Sequence, residues 1–184
     1  MLGILEIGSL VATMLPKIIE IAGKNLLLVA SIITGILKGL GIIDSGETPE
    51  DLGDKAIQAE ESGIKPEDFD SYEEYVKAVQ AFETDPEKSA QITENQKIEK
   101  GMEITTKVAV ERFGDSFIVE FAPLLAAYPL FFKGQEPYYF YTEKFKETPE
   151  LLADMARFLK GNEADATKAE KTLETIFDIE KMKN

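Results

Sequence analysis

The first 43 residues decide the fold, and they read MLGILEIGSLVATMLPKIIEIAGKNLLLVASIITGILKGLGII. Apolar side chains dominate this stretch. Its polar residues recur mostly at steps of three or four positions, and they are Glu6, Ser9, Thr13, Lys17, Glu20, Lys24, Ser31, Thr34 and Lys38. This is the period of an α-helix, so the polar groups form one narrow stripe beside a wide apolar face. Residues 1–43 are therefore predicted to form an apolar helical arm.

Two features are predicted to interrupt the arm. Pro16 cannot donate a helical hydrogen bond and should kink or divide the helix, and Gly23-Lys24-Asn25 offers a second break. We therefore expect either a kinked helix or a helical hairpin. The second piece, residues 26–43, has a single charged residue and reaches the lower limit of about 17–25 residues needed to cross a bilayer.

Small residues recur every four positions in this second piece, at Ser31, Gly35 and Gly39. Glycine inside a helix costs up to ~1 kcal/mol, so its repetition at this spacing indicates a seam at which another helix packs closely. Three surroundings suit such an arm: the core of the protein's own bundle, a membrane or channel, and the space between neighbouring subunits. We expect no cleavable signal peptide, because the N-terminus carries Glu6 and lacks basic residues.

Charge divides the chain into two parts. Residues 1–44 hold three acidic and three basic residues, so the rest of the chain carries the entire net charge of -14. We interpret residues 1–43 as the arm and residues 44–184 as an acidic helical body. A nucleic acid is not expected as a partner, because phosphates would be repelled wherever no basic patch is concentrated.

Capping signals divide the body into about six short amphipathic helices, which makes the predicted fold all-α. Thr48 is a predicted N-cap followed by Pro49, and that helix should end at Gly63. Further helix starts are predicted near Asp70 or Ser71, at Thr84 to Glu87, at the capping box Thr93 to Gln96, at Thr148 and after Asn162. Residues 116–132 are predicted to form a kinked core helix, with a strand at residues 116–121 as the competing interpretation.

Aromatic residues are densest just after Pro137, where Tyr138, Tyr139 and Tyr141 stand close together. Tyrosines are favoured as interface anchors, so these three are a candidate partner surface. Aromatic clusters also fill protein cores. Both interpretations remain open at the level of sequence.

Histidine and cysteine are both absent from the chain. Without them the usual Ser-His-Asp and Cys-His sites, imidazole zinc sites and disulfides are unavailable. The acids between Asp68 and Glu73 resemble a cation loop in spacing, but they lack its glycine and distal glutamate, and capping explains them better. We therefore expect no catalytic residues, no metal and no cofactor.

These observations favour a non-enzymatic structural or assembly subunit of a larger complex, such as a virion, a secretion device or a membrane assembly. Its partners would be protein subunits, including copies of itself, and a membrane is a second partner that residues 1–43 suit. One alternative is a pore-forming or membrane-penetrating protein that uses the same residues. Another is a soluble acidic helical inhibitor or immunity protein that binds a basic partner. The cellular location does not follow from the sequence.

Overall fold

The computed structural model describes residues 2–134, in which all regular secondary structure is helical and no strand occurs. The all-α prediction is confirmed. The main helices are α1 (Ile4–Ala22), α2 (Leu26–Gly39), α3 (Pro49–Glu61), α4 (Tyr72–Gln80), α5 (Pro86–Gln91), α6 (Glu94–Phe113), α7 (Ala122–Ala127) and α8 (Pro129–Phe132). The helices predicted after Thr148 and Asn162 lie outside the described residues.

The arm is helical from Ile4 to Gly39 with one interruption, at the predicted break Gly23-Lys24-Asn25. A 3-10 turn, Gly23–Asn25, joins α1 to α2, and Gly23 has the positive φ of +52° that ends α1. Pro16 does not divide α1. Pro16 and Ala12, whose carbonyl loses its helical donor, both lie on the exposed side of the helix.

The apolar side of the arm is buried against the body. In α1 the buried residues follow helical spacing and are Ile7, Val11, Leu15, Ile18 and Ala22. They belong to one hydrophobic cluster with residues of α6, among them Met102 and Val108, which are fully buried. Each large apolar side chain buried in this way contributes about 1.5–3 kcal/mol. Residues of both the arm and the body contribute to this core. Their division into two separate domains stays a prediction.

Helix α6 lies at the centre of the described bundle and contacts α1, α2, α3 and α4. Most of its circumference is buried, including the polar residues Thr105 and Thr106. The remaining side carries Lys100, Glu103 and Lys107, which are half-buried. This side of α6 therefore forms a charged surface.

Helices α3 and α6 cross with their backbones in contact, and two glycines permit it. A Cβ atom on Gly53 would lie 2.7 Å from the carbonyl carbon of Lys97 and closer still to its oxygen. A Cβ on Gly101 would lie 2.9 Å from the carbonyl carbon of Pro49, again with the oxygen closer. Real side chains do not approach backbone so closely, so only glycine fits at either position.

The caps predicted at Thr48 and Thr93 are present. Thr48 accepts a hydrogen bond from the Asp51 amide at 3.1 Å. Thr93 and Gln96 form the reciprocal capping box of α6, in which the Gln96 amide donates to Thr93 Oγ1 at 3.1 Å and the Thr93 amide donates to Gln96 Oε1 at 2.9 Å. These local bonds satisfy amides that have no partner inside the helix, which is why the sequence locates the helix starts well.

Helix α4 has a cap that comes from another helix. Ser71 accepts from the Glu74 amide at 3.1 Å, as its position suggests. The Glu111 carboxylate of α6 accepts from the amides of Tyr72 at 2.8 Å and Glu73 at 3.2 Å. A negative group at a helix N-terminus is stabilising, so Glu111 fixes α4 on α6.

Tyr72 also ties α4 to the start of the arm. Its hydroxyl donates to the Ile4 carbonyl of α1 at 2.8 Å. The approach is close because Gly8 has no side chain, and a Cβ there would lie 3.0 Å from the Tyr72 oxygen. The first turn of the arm is therefore held by a specific contact as well as by apolar packing.

Residues 44–48, between the arm and α3, are held by polar contacts with α4 and with α3. The Asp44 amide donates to Gln80 Oε1 of α4 at 2.8 Å. Glu47 is only 6% exposed, and Lys55 of α3 donates to both of its carboxylate oxygens, at 3.0 and 3.1 Å. A carboxylate buried to this extent needs such a partner.

Residues 116–132 form the broken helix that the two prolines predict, and the strand interpretation is wrong for residues 116–121. A π-helical turn, Phe117–Phe121, leads directly into α7. This wider turn places Phe117, Ile118 and Phe121 together in the core. The chain breaks again at Tyr128 before Pro129 opens α8.

The glycine crossing makes a testable prediction. Replacing either Gly53 or Gly101 by alanine should destabilise the protein by about 1–3 kcal/mol or more, because the new methyl group must push two backbones apart. Alanine in an ordinary helix would instead stabilise by up to ~1 kcal/mol. Gly46→Ala is the control, since a Cβ at Gly46 has nothing within 4 Å. Equal denaturant midpoints for G53A, G101A and G46A would contradict the crossing.

Candidate functional site

The predicted polar stripe lies on the outside of the arm along α1. Its exposed members are Glu6, Ser9, Thr13, Lys17, Glu20 and Lys24. Lys38 in α2 is half-buried, whereas Thr34 is only 1% exposed and enters the core. The Thr34 hydroxyl can do so because it donates to the Ala30 carbonyl of the preceding turn at 2.8 Å.

The closest observed contact between two helices does not lie at the predicted packing seam. Ser31 and Gly39 are exposed and Gly35 is half-buried, so the role of these three residues as a seam stays a prediction. The observed backbone contact is between Gly53 and Gly101 of the body. A signal for it was present, since Gly101 stands within an otherwise regular helix, which costs ~1 kcal/mol unless close packing requires it. The predicted partner surface of Tyr138, Tyr139 and Tyr141 lies outside the described residues.

Large apolar side chains flank the polar stripe on the exposed side of the arm. Leu5 is 76% exposed, and Ile21 and Leu27 are each 42% exposed. We call this surface, defined by Leu5, Ile21, Leu27 and the exposed stripe residues, the outer face of the arm. Single exposed leucines are ordinary, but Leu5 and Ile21 on either side of the stripe, with Leu27 at the start of α2, add apolar area that another chain can cover.

A cleft of about 700 Å³ opens between α1, α3, α5 and α6, and we call it the interhelical cleft. Its floor is apolar and consists of Leu15, Ile19, Ile57 and Ile92. Its rim is charged and includes Glu61, Lys88 and Glu99, with Lys100 and Glu103 on the α6 side. An apolar floor with a few charged groups around it is the usual composition of a binding site.

Lys100 and Glu103 belong to a network of charges along the open side of α6. Lys100 Nζ lies 2.9 Å from a carboxylate oxygen of Glu60 and 3.4 Å from one of Glu103. Lys107 Nζ lies 2.8 Å from Glu103, and the Tyr75 hydroxyl donates to Glu60 at 3.0 Å. The network therefore joins α3, α4 and α6 beside the cleft.

The network favours the charged forms of Lys100 and Glu103. Burial would lower the pKa of Lys100, but the carboxylates of Glu103 and Glu60 outweigh burial and raise it. Burial would likewise raise the pKa of Glu103, but the ammonium groups of Lys100 and Lys107 outweigh it and lower this pKa. Burial, with nearby carboxylates, raises the pKa of Tyr72 to about 12. Fixed charges suit electrostatic recognition better than proton transfer.

A second polar cluster connects α3 with α5 and has a structural explanation. Ser89 Oγ donates to Asp54 at 2.7 Å, and Gln58 Nε2 donates to both Asp54 at 2.8 Å and Ser89 at 3.0 Å. Gln58 in turn accepts from the Asp85 amide at 2.8 Å. Sequence reasoning missed this cluster, because its members come together only in the folded chain. Its groups are mutually satisfied, as buried polar groups must be.

Within residues 2–134 no group of acidic residues is placed to hold a metal ion. The span Ile4–Gly39 is long and apolar enough to cross a membrane by length and composition, but 44% of its most apolar window is buried in the protein, and core helices pass the same test.

No protein-family model, curated protein or solved structure matches the chain. The function is therefore argued from these surfaces.

The charge network predicts how stability depends on pH. Because the pKa of Glu103 is lower in the folded state, its contribution is complete above the unfolded-state pKa and is lost as pH falls through the folded-state pKa. Glu103→Gln should therefore cost about 1 kcal/mol in free energy of unfolding near neutral pH, and this cost should shrink below about pH 4.

Glu83→Gln is the matched control, since Glu83 is exposed and lies between helices α4 and α5. Urea denaturation of both variants across this pH range gives the comparison. A cost for E103Q that stayed constant from neutral to acidic pH would show that the carboxylate charge contributes nothing.

Proposed function

We propose that this protein is a non-enzymatic assembly subunit that acts by binding other protein chains, including copies of itself. The observation that carries the proposal is the outer face of the arm, where Leu5, Ile21 and Leu27 are exposed to solvent beside the polar stripe. Apolar side chains interspersed with polar ones are typical of surfaces that associate without being permanently buried. The larger assembly could be a virion, a secretion device or a membrane complex.

The arrangement of the arm supports binding in which the body stays folded. The inner side of α1, with Val11, Leu15 and Ile18, is buried in the core that α1 shares with α6 and α7, so the outer face is presented by a fixed helix. A preorganised surface loses less conformational entropy when it binds a partner. In this proposal the arm is therefore a rigid helical element whose outer face binds the partner.

A second candidate function is membrane penetration or pore formation by residues 1–43. It is favoured by the length and composition of Ile4–Gly39, which suffice to cross a bilayer. The inner side of the arm would first have to leave α6, which exposes the buried residues of both. The body carries the entire net charge of -14 and would be repelled by anionic lipid.

Sedimentation velocity tests the first proposal. The full chain should self-associate at on the order of 10 μM. The triple variant L5S/I21S/L27S should weaken association by at least about tenfold, because three partly exposed apolar side chains are lost from the contact. The control K77S/E83S removes one charge of each sign away from the arm, so that net charge is unchanged, and it should associate as the wild type does.

A wild-type chain that stays monomeric at these concentrations would contradict self-association. Flotation of the full chain with neutral lipid vesicles in the same buffer would favour the membrane alternative. Circular dichroism melts of all three proteins establish that the substitutions leave the fold intact.

A further inference from the structure

The interhelical cleft has a floor that a ligand can reach. Ile19, Ile57 and Ile92 are each only half-buried, although they face one another across the cleft between α1, α3 and α5. The volume of about 700 Å³ lies within the range of about 300–1,000 Å³ that is usual for binding sites. Covering this floor would remove apolar surface from water, which favours an occupant with apolar side chains.

The charges around the cleft favour a cationic occupant. Lys100 is already held by Glu60 and Glu103, and Lys88 lies 4.0 Å from Glu61, so an anion would compete with a carboxylate for each lysine. Glu99 accepts a hydrogen bond from the neutral Asn95 amide at 3.2 Å, and no ammonium group of the described residues lies within ion-pair distance of it. Glu61 has Lys88 only at the 4.0 Å limit of an ion pair and is 55% exposed at the rim, so a further cation can reach it.

The walls of the cleft are the sides of helices. Leu15 and Ile19 are one turn apart on α1, Ile57 and Glu61 are one turn apart on α3, and Glu99 and Glu103 are one turn apart on α6. Rows of side chains at this spacing form ridges, and the side chains of another helix pack into the grooves between them. The geometry therefore suits an occupant that is itself helical.

We propose that the interhelical cleft binds an amphipathic helix of a partner protein, with leucine-like side chains on the floor and lysine or arginine facing Glu61 and Glu99. This inference rests on the proposed function, because it names the class of partner that such a subunit takes. Helix-in-groove binding of this kind uses apolar anchors at helical spacing for affinity and rim charges for selection. The strongly negative body attracts a basic segment from a distance as well.

A synthetic peptide tests the inference without knowledge of the natural partner. The probe is a fluorescein-labelled helix of about 18 residues made of leucine and lysine at helical spacing, and its control has glutamate in place of lysine. The leucine-lysine peptide should bind the full chain, and the leucine-glutamate peptide should not. Fluorescence anisotropy at fixed ionic strength measures both affinities.

Two double variants locate the site. E61K/E99K reverses two rim charges and should weaken binding of the leucine-lysine peptide by about tenfold or more. E74K/E83K makes the same change in net charge at two exposed acids that do not line the cleft, and it should weaken binding by less than about twofold. Circular dichroism melts of both variants check that the fold is retained.

Each outcome decides the inference. Equal loss of peptide affinity in the two double variants would overturn it, because binding would then depend only on the net charge of the protein. Absence of peptide binding, or equal binding of the glutamate control, would overturn it as well. Self-association through the outer face of the arm is measured separately with L5S/I21S/L27S, so failure of the cleft leaves the proposed function standing.

Discussion

The apolar side of the arm cannot stay in water, and its burial against α6 is the contact on which the described structure depends. Ile7, Val11 and Ile18 of α1 are at most 1% exposed, and they share one core with residues of α6 such as Met102 and Val108. Removing this much apolar surface from water is the dominant favourable term in folding. The remaining elements are arranged around this pair.

The position of α6 between the arm and α3 also creates the surface to which we assign function. Gly53 and Gly101 bring α3 into backbone contact with α6, while α1 lies along the same helix. The space left between α1 and α3 becomes the interhelical cleft, and the one open side of α6 supplies Lys100 and Glu103 to its rim. Packing at the centre of the bundle thus fixes the spacing of the cleft walls.

Local chemistry explains which parts of the fold were predictable from sequence. Thr48, Ser71 and Thr93 cap helices through amides three residues away, so their role is visible in a short window. The period of polar residues likewise predicted the exposed stripe of α1. The break of the arm fell at Gly23 and not at Pro16, because the exposed position of Pro16 lets the helix continue.

Features that depend on contacts between distant residues escaped prediction. The burial of Thr34, the cap that Glu111 supplies to α4 and the crossing at Gly53 all require knowing which helix is adjacent. The interhelical cleft is a further case, since its lining combines residues from the arm and from three parts of the body. Composition identified an apolar arm and an acidic body, but not that they share a core.

The most direct test of this account is the stability of a chain that begins at Ser45, measured beside the full-length protein. Without the arm, α6 loses the partners of its buried residues, including Met102 and Val108. We predict that the shortened chain shows no cooperative thermal transition by circular dichroism and aggregates through the exposed core. A shortened chain that stays soluble and melts cooperatively at the temperature of the full chain would contradict the claim that the arm completes the core.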